Sequence, residues 1–500
     1  MAKKQLPLPR AAGILMGIPS LPSPYGIGTL GAPASVFMDV LCEAGQRYWQ
    51  VLPIGHTGFG FSPYQCFSAF AGNPYLIDPA DLYERGLLTD DELAAAVYNG
   101  PTDTVAYDFL EQTRLPLLAR AFSRRTPTME AACRRFTEQK ADWLPDYALF
   151  MALKEHFDGR PWSEWPRDIA LRQADALARY RDKLADRTAF YAFVQYLFFD
   201  QWARLKAEAA SRGIAIIGDV PIYVAMDSAD AWAHRDQFLF DEQGGPLGVA
   251  GVPPDYFSKT GQLWGNPLYD WAAMKQDGFS WWRARMRESA ALYDMIRIDH
   301  FIGLVHYYVI PPDAADATGG EYRDGPADEW VAAVLPELAG KRLIAEDLGN
   351  VTPQVERVMK RAGLPGMRVL QFGFDGCSAD NPHLPHRYER NQLAYTGTHD
   401  NPPIGDIADR LSRKAARFAR RYLGIRKNAH LPQAMIRALY ASVAGIAVVQ
   451  MQDVLNLGEA QRTNTPGTVG GNWRWRLSSI EQVTPHVAWL SELAGQYERL

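Results

Sequence analysis

A chain of 500 residues, 47% of them apolar, can bury a large core, which excludes a disordered or fibrous protein. Lys and Arg number 52 against 57 Asp and Glu, a formal net charge of −5 that leaves no electrostatic footprint for nucleic acid or an anionic membrane as partner. The four cysteines, Cys42, Cys66, Cys133 and Cys377, have neither metal-ligand nor disulfide-framework spacing, which suits a reducing cytoplasm.

In chain order, the first apolar run is 11–18. It follows Lys3, Lys4 and Arg10, but Pro19, Pro22 and Pro24 break it, so no secretory signal is expected. No apolar run approaches the roughly 20 residues that span a bilayer. Residues 13–18 and 48–52 read as buried strands with an amphipathic helix, 34–43, between them. The interval to the third strand, 214–217, is far longer than a crossover needs. Its residues 81–212 are rich in helix formers, so a mainly helical inserted subdomain is expected there. A second insertion, 225–289, carries Gly, Pro and aromatic residues in 248–271 and reads as loops folded over a site. Five more strands follow at 295–298, 342–345, 367–372, 392–395 and 446–451, with helical patterns at 353–361 and 431–440 between them. Trp281 and Trp282, in a helical stretch, read as core. The basic run Arg410, Arg413, Lys414, Arg417, Arg420 and Arg421 faces a stripe of Leu411, Ala415, Phe418 and Tyr422, the pattern of a solvated amphipathic helix. Eight strand–helix units predict an α/β fold, a (β/α)8 TIM barrel spanning 1–500 with the two insertions after its second and third strands.

Barrel enzymes carry their chemistry where the strands end, because the following loops converge over the packed interior. Polar residues follow the apolar runs at that end: Gly218-Asp219, Asp299-His300, Glu346-Asp347, Thr398-His399-Asp400-Asn401 and Gln452-Asp453. Any one of them could be a helix cap. As a set they point to a site.

Glycosyl transfer with retention needs two carboxyl groups about 5 to 5.5 Å apart, one a nucleophile and one able to protonate the leaving oxygen. Arg297 and Asp299 share a strand face, so Arg297 is expected to hold Asp299 ionised. Glu346, from the next strand in a less ionic setting, can keep a proton and act as acid and then base. Asp400, beside His399, offers a third carboxylate to a transition state of oxocarbenium character. His300 and His399 read as sugar-hydroxyl partners; with no HExxH or clustered His/Cys pattern, no catalytic metal is expected. Tyr256, Phe257, Gln262, Trp264, Asn266 and Tyr269 supply flat apolar faces and planar amides suited to sugar rings.

These residues lie in segments that closely resemble the amylomaltase, or 4-alpha-glucanotransferase, family: SPYQCFSAFAGNP from Ser62, GDVPIYVAMDSAD from Gly218, GVPPDYFSKTGQLWGNPLYDW from Gly251, RIDHF from Arg297, AEDLG from Ala345, GTHDN from Gly397, NTPGT from Asn464 and GNWRWR from Gly471. The resemblance implies that Asp299 is the nucleophile, Glu346 the general acid/base and Asp400 the transition-state stabiliser. It places Arg297, His300, His399, Asp219, Tyr64, Gln262, Trp264 and Asn266 among the substrate-site residues. It also implies maltooligosaccharides and alpha-1,4-glucans as partners, no cofactor, and a sugar hydroxyl preferred over water as acceptor. The chain departs from the family pattern at Ile302, Tyr308 and Pro402-Pro403, none of which removes a carboxylate.

Overall fold

The computed structural model describes residues 7–254 and 258–500. Eight short strands carry the fold: β1 (Ala11–Leu15), β2 (Tyr48–Gln50), β3 (Ala215–Val220), β4 (Met295–Ile298), β5 (Arg342–Ala345), β6 (Gly366–Val369), β7 (Gln392–Tyr395) and β8 (Ile446–Gln450). They are hydrogen-bonded in the order β6-β7-β8-β1-β2-β3-β4-β5, each to its neighbour in parallel. The seam between β5 and β6 is laced by the Ala345 N–H donating to the Pro365 carbonyl at 3.0 Å and the Met367 N–H donating to the Asp347 carboxylate at 2.6 Å. The result is a (β/α)8 barrel. All eight expected strands are present. The first is shifted, ending at Leu15, because the chain turns into a 3-10 segment at Ile18–Ser20.

The apolar runs are continuous because both strand faces are buried. Leu15, Ile217, Met295, Ile344, Met367, Val369, Leu393, Tyr395, Ile446 and Val448 form one cluster inside the barrel. Their neighbours in sequence, such as Ile14, Ile216, Ile296, Leu343, Ala394 and Val449, belong to the cluster between sheet and helices. That alternation has a period of two, and it sends Asp219, Arg297 and Asp299, two and four residues on from interior positions, to the inner face as well. β1 and β2 approach closely at Gly13, where a Cβ would meet Tyr48 Cβ and its carbonyl oxygen at 2.7 Å.

The helices read from sequence rest on local chemistry. In Pro353–Ala362 the Thr352 hydroxyl accepts from the Val355 N–H, Gly363 ends the helix at φ 70°, and Val355, Val358, Met359 and Ala362 are buried. Arg413–Leu423 buries Ala415, Ala416 and Ala419 and leaves Arg413, Lys414, Arg417 and Arg421 exposed. Trp281 and Trp282 are 4% and 0% exposed. Between β2 and β3 the chain forms helices from Pro79–Glu84 to Ala185–Ser211.

The stretch 225–289 is more ordered than its composition suggests. Val249–Val252 and Gln262–Pro267 pair antiparallel, and His306–Ile310 and Glu321–Asp324 extend them to a four-stranded sheet. Gly and Pro hid these strands: Gly251 lets the Gln262 carbonyl lie 2.2 Å from where a Cβ would sit, and Gly265 has a φ of 75°. Their partner strands also lie beyond residue 289, outside any local window.

Candidate active site

Asp219 and Arg297 face each other across the β3–β4 ladder, and Ile298 faces Ala345 across β4–β5. The ladder runs one rung past the strands: the Asp299 N–H donates to the Val220 carbonyl at 3.0 Å, and the Glu346 N–H to the Ile298 carbonyl at 3.1 Å. Asp299 and Glu346 therefore leave adjacent strands on the same rung, with backbones roughly 4.8 Å apart.

Arg297 organises one side. Its Nη1 donates to both oxygens of Asp219 at 2.6 Å, and its Nη2 pairs with Asp299 Oδ1 at 2.9 Å. Tyr64 donates its hydroxyl to Asp219 Oδ2 at 2.7 Å. The Asp219 side chain is 0% exposed and that of Arg297 4%, so Asp219 is spent on holding Arg297 and presents no surface to a sugar. Asn266 is similarly engaged, donating to the Val224 carbonyl at 2.6 Å and accepting from Gln65 at 3.2 Å.

Glu346 has a different environment. Its Oε2 accepts from the His300 N–H at 2.7 Å and its Oε1 from the Leu348 N–H at 2.9 Å. His300 supplies that N–H from a left-handed conformation, φ 51°. Burial pushes the Glu346 carboxyl up to about 8, the Asp299 charge adds to the rise, and Arg297 and the two N–H donors oppose it. Burial also pushes Asp299 up to about 6, against the pull of Arg297, with the charges of Asp219 and Asp400 adding to the rise. Arg297 does lower the Asp299 carboxyl, as its place on the strand predicts, but burial outweighs it, although 26% of the Asp299 side chain remains open.

Asp400 lies in the loop that follows β7, its side chain 40% exposed. Its Oδ1 accepts from Asn464 Nδ2 at 2.6 Å and lies 3.3 Å from His399 Nε2. The His399 ring stacks on Tyr64, centroids 5.0 Å apart at 18°, with Nδ1 3.4 Å from the Tyr64 hydroxyl. Trp264 meets His300 edge-on at 5.0 Å and donates to Gln262 Oε1 at 3.1 Å. Burial lowers the His300 ring to about 4, so it is neutral at ordinary pH and can both donate to and accept from a hydroxyl. Tyr269 is core, 1% exposed. Tyr256 and Phe257 lie outside the described residues. Among the described residues, no group of three or more His, Cys, Asp or Glu could hold a metal ion, and no helix is long and apolar enough to cross a membrane.

The family model described as 4-alpha-glucanotransferase matches residues 16–482. The chain belongs to the 4-alpha-glucanotransferase family. It is 46% identical to the 4-alpha-glucanotransferase of Thermus thermophilus over 504 residues, covering 99% of this chain and 100% of the relative. It is 44% identical to that of Streptococcus pneumoniae over 98% of both chains. Among solved structures, the amylomaltase from Streptococcus agalactiae in complex with acarbose superposes with a TM-score of 0.95 at 39% identity, covering 98% of this chain and 99% of that one. The amylomaltase from Corynebacterium glutamicum shares the fold, with a TM-score of 0.79 at 21% identity over 98% of this chain and 75% of that one.

Around these side chains stand residues that the strand-end pattern does not single out. Trp473, at φ 64°, packs its ring 5.6 Å from Tyr64 and 5.7 Å from His399. Asn464 holds the Asp400 carboxylate, and Arg462 donates to the Asp400 carbonyl at 2.5 Å. All three follow β8 in a segment without apolar periodicity; Asn464 and Trp473 fall in the motif strings beginning at Asn464 and Gly471, and Arg462 lies outside both.

Proposed function

We propose that this chain is a retaining 4-alpha-glucanotransferase, which moves a segment of a 1,4-alpha-D-glucan to the 4-position of an acceptor glucose or glucan. The observation that carries the reading is the contrast between neighbouring strands: an Arg-paired Asp299 and a Glu346 held by two backbone N–H groups, with burial raising Glu346 further than Asp299, the order that catalysis needs. In the first half-reaction Asp299 attacks the anomeric carbon while Glu346 gives its proton to the departing glycosidic oxygen. A glycosyl ester forms on Asp299, and the shortened glucan leaves. In the second, ionised Glu346 takes the proton from the acceptor's 4-hydroxyl, that oxygen attacks the anomeric carbon, and the ester bond to Asp299 breaks. Two displacements retain the configuration.

Asp400 stabilises the positive charge that develops on the sugar, and Arg297 keeps Asp299 ionised as its charge is consumed and restored. Tyr64, His300, His399, Gln262 and Trp264 line the approach, and Tyr256 and Phe257 belong to the same segment. Asp219 and Asn266 serve this set from behind. The chain then acts as one catalytic barrel with insertions at 81–212 and 225–289. Its substrates are maltooligosaccharides and alpha-1,4-glucans, with no nucleic acid or membrane partner. Four free cysteines support a cytoplasmic setting.

The test is incubation with maltotriose. Glucose and maltooligosaccharides longer than maltotriose are expected together. Glucose and maltose alone, with no chain lengthening, would make the chain a hydrolase.

A further inference from the structure

Asp453, three residues past β8, is one of the strand-end carboxylates, and the chemistry above leaves it without a task. It is 1% exposed. Its Oδ2 accepts from the Thr396 hydroxyl at 2.5 Å and its Oδ1 from the Ile404 N–H at 2.8 Å. Thr396 directly follows β7. Ile404 closes the segment that carries His399, Asp400, Asn401, Pro402 and Pro403. The two prolines bring no N–H, so Ile404 offers the first backbone donor after Asn401.

The rest of the segment is held by its carbonyls. Arg462 donates to Asp400 O at 2.5 Å, Gln371 to Pro402 O at 2.9 Å and Arg410 to Pro403 O at 2.7 Å. No cation forms an ion pair with Asp453 among the described residues, and burial pushes its carboxyl up to about 7 in spite of its two donors and the weaker pull of Arg410. A buried carboxylate with no ionic partner is costly, so its return must lie in the two groups it joins.

We propose that Asp453 is a positioning residue that staples the two ends of segment 396–404 and thereby aims Asp400 at the sugar. The inference rests on the reading of Asp400 as the transition-state stabiliser. Asparagine can make the same staple, since its oxygen accepts from Ile404 and its amide donates to the Thr396 hydroxyl. Alanine cannot.

The experiment measures kcat and KM for Asp453→Ala and Asp453→Asn, each alone and combined with Asp400→Ala, using a glycosyl fluoride donor and maltose acceptor well below every variant's melting temperature. Asp453→Ala is expected to lower kcat roughly 10- to 100-fold through misplacement of Asp400, with a smaller change in KM, while Asp453→Asn stays close to the parent. In the Asp400→Ala background, Asp453→Ala is expected to cause no further loss, because the group it aims is gone. Additive losses, or equal damage from Asp453→Ala and Asp453→Asn, would overturn the inference and leave the proposed reaction standing. An Asp400→Ala enzyme with full activity would remove the role of Asp400 and the inference with it. Should Asp453→Ala fail to fold, Thr396→Val removes one arm of the staple; a smaller loss that vanishes in the Asp400→Ala background supports the proposal, and an additive one refutes it.

Discussion

Two edges of the barrel mouth hold their carboxylates by different means. At β4–β5 the backbone does the aiming: Asp299 and Glu346 sit opposite each other one rung past the strands, and Glu346 is fixed by the N–H groups of His300 and Leu348. At β7–β8 the chain has left the ladder, and Asp400 is aimed by the side chains of Asn464, Arg462 and His399. The first arrangement is the more enclosed, with Glu346 buried and the Asp299 side chain 26% open, and tolerates little change, whereas the second is 40% open at its carboxylate and can be altered one contact at a time. Groups whose relative placement decides bond making are tied to the sheet, and a group that acts through its field can hang on a loop.

Substitutions can break or sharpen that contrast. The largest effect belongs to Asp299→Asn, since an amide cannot form the glycosyl ester; kcat should fall on the order of 10⁴-fold or more with the circular dichroism spectrum unchanged, and near-normal turnover would remove Asp299 from its role. Glu346→Gln should cost about 10²- to 10⁴-fold with ordinary glucans and much less in the first half-reaction of a donor with a good leaving group. The same variant tests the pH profile. In the parent, kcat/KM should rise as pH passes about 6, where Asp299 loses its proton, and fall beyond about 8, where Glu346 does; these are the pair's two macroscopic steps. The alkaline fall should vanish in Glu346→Gln.

Arg297→Met strands two carboxylates at once. It should destabilise the fold by about 3–5 kcal/mol, read from denaturant midpoints. Because Arg297 lowers the Asp299 pKa, any surviving activity should show its acid limb moved to higher pH. On the looser edge, Asn464→Ala removes one donor from Asp400 and should cost roughly tenfold in kcat, the effect of about 1.4 kcal/mol for a bond to a charged group. The smallest effect is expected on the solvated basic helix, where Arg413→Gln with Arg417→Gln should change stability by less than about 0.5 kcal/mol and leave transfer rates alone.

The barrel was legible because its strands are short, apolar on both faces and soon followed by Gly, Pro or polar residues, signals that lie within a few residues of one another. Asp299 and Glu346 stand out for the same reason, each directly after its strand. What escaped needed long-range information. The strands Val249–Val252 and Gln262–Pro267 look like loop until His306–Ile310 is placed beside them. That Asp219 is consumed by Arg297 follows only from the register of β3 on β4. The balance that lets burial outweigh Arg297 at Asp299 depends on how deep the rung lies, which periodicity does not encode. Trp473 reaches His399 through a left-handed backbone that an aromatic residue rarely adopts.

The most direct measurement is a covalent trap. Glu346→Gln is mixed with an alpha-glycosyl fluoride, whose departure needs no acid, and the protein is digested and examined by mass spectrometry. One glycosyl unit on the peptide containing Asp299, released on adding a small anionic nucleophile such as azide, is the expected result. A label on any other carboxylate, or fluoride release and transfer without a covalent adduct, would contradict double displacement at Asp299.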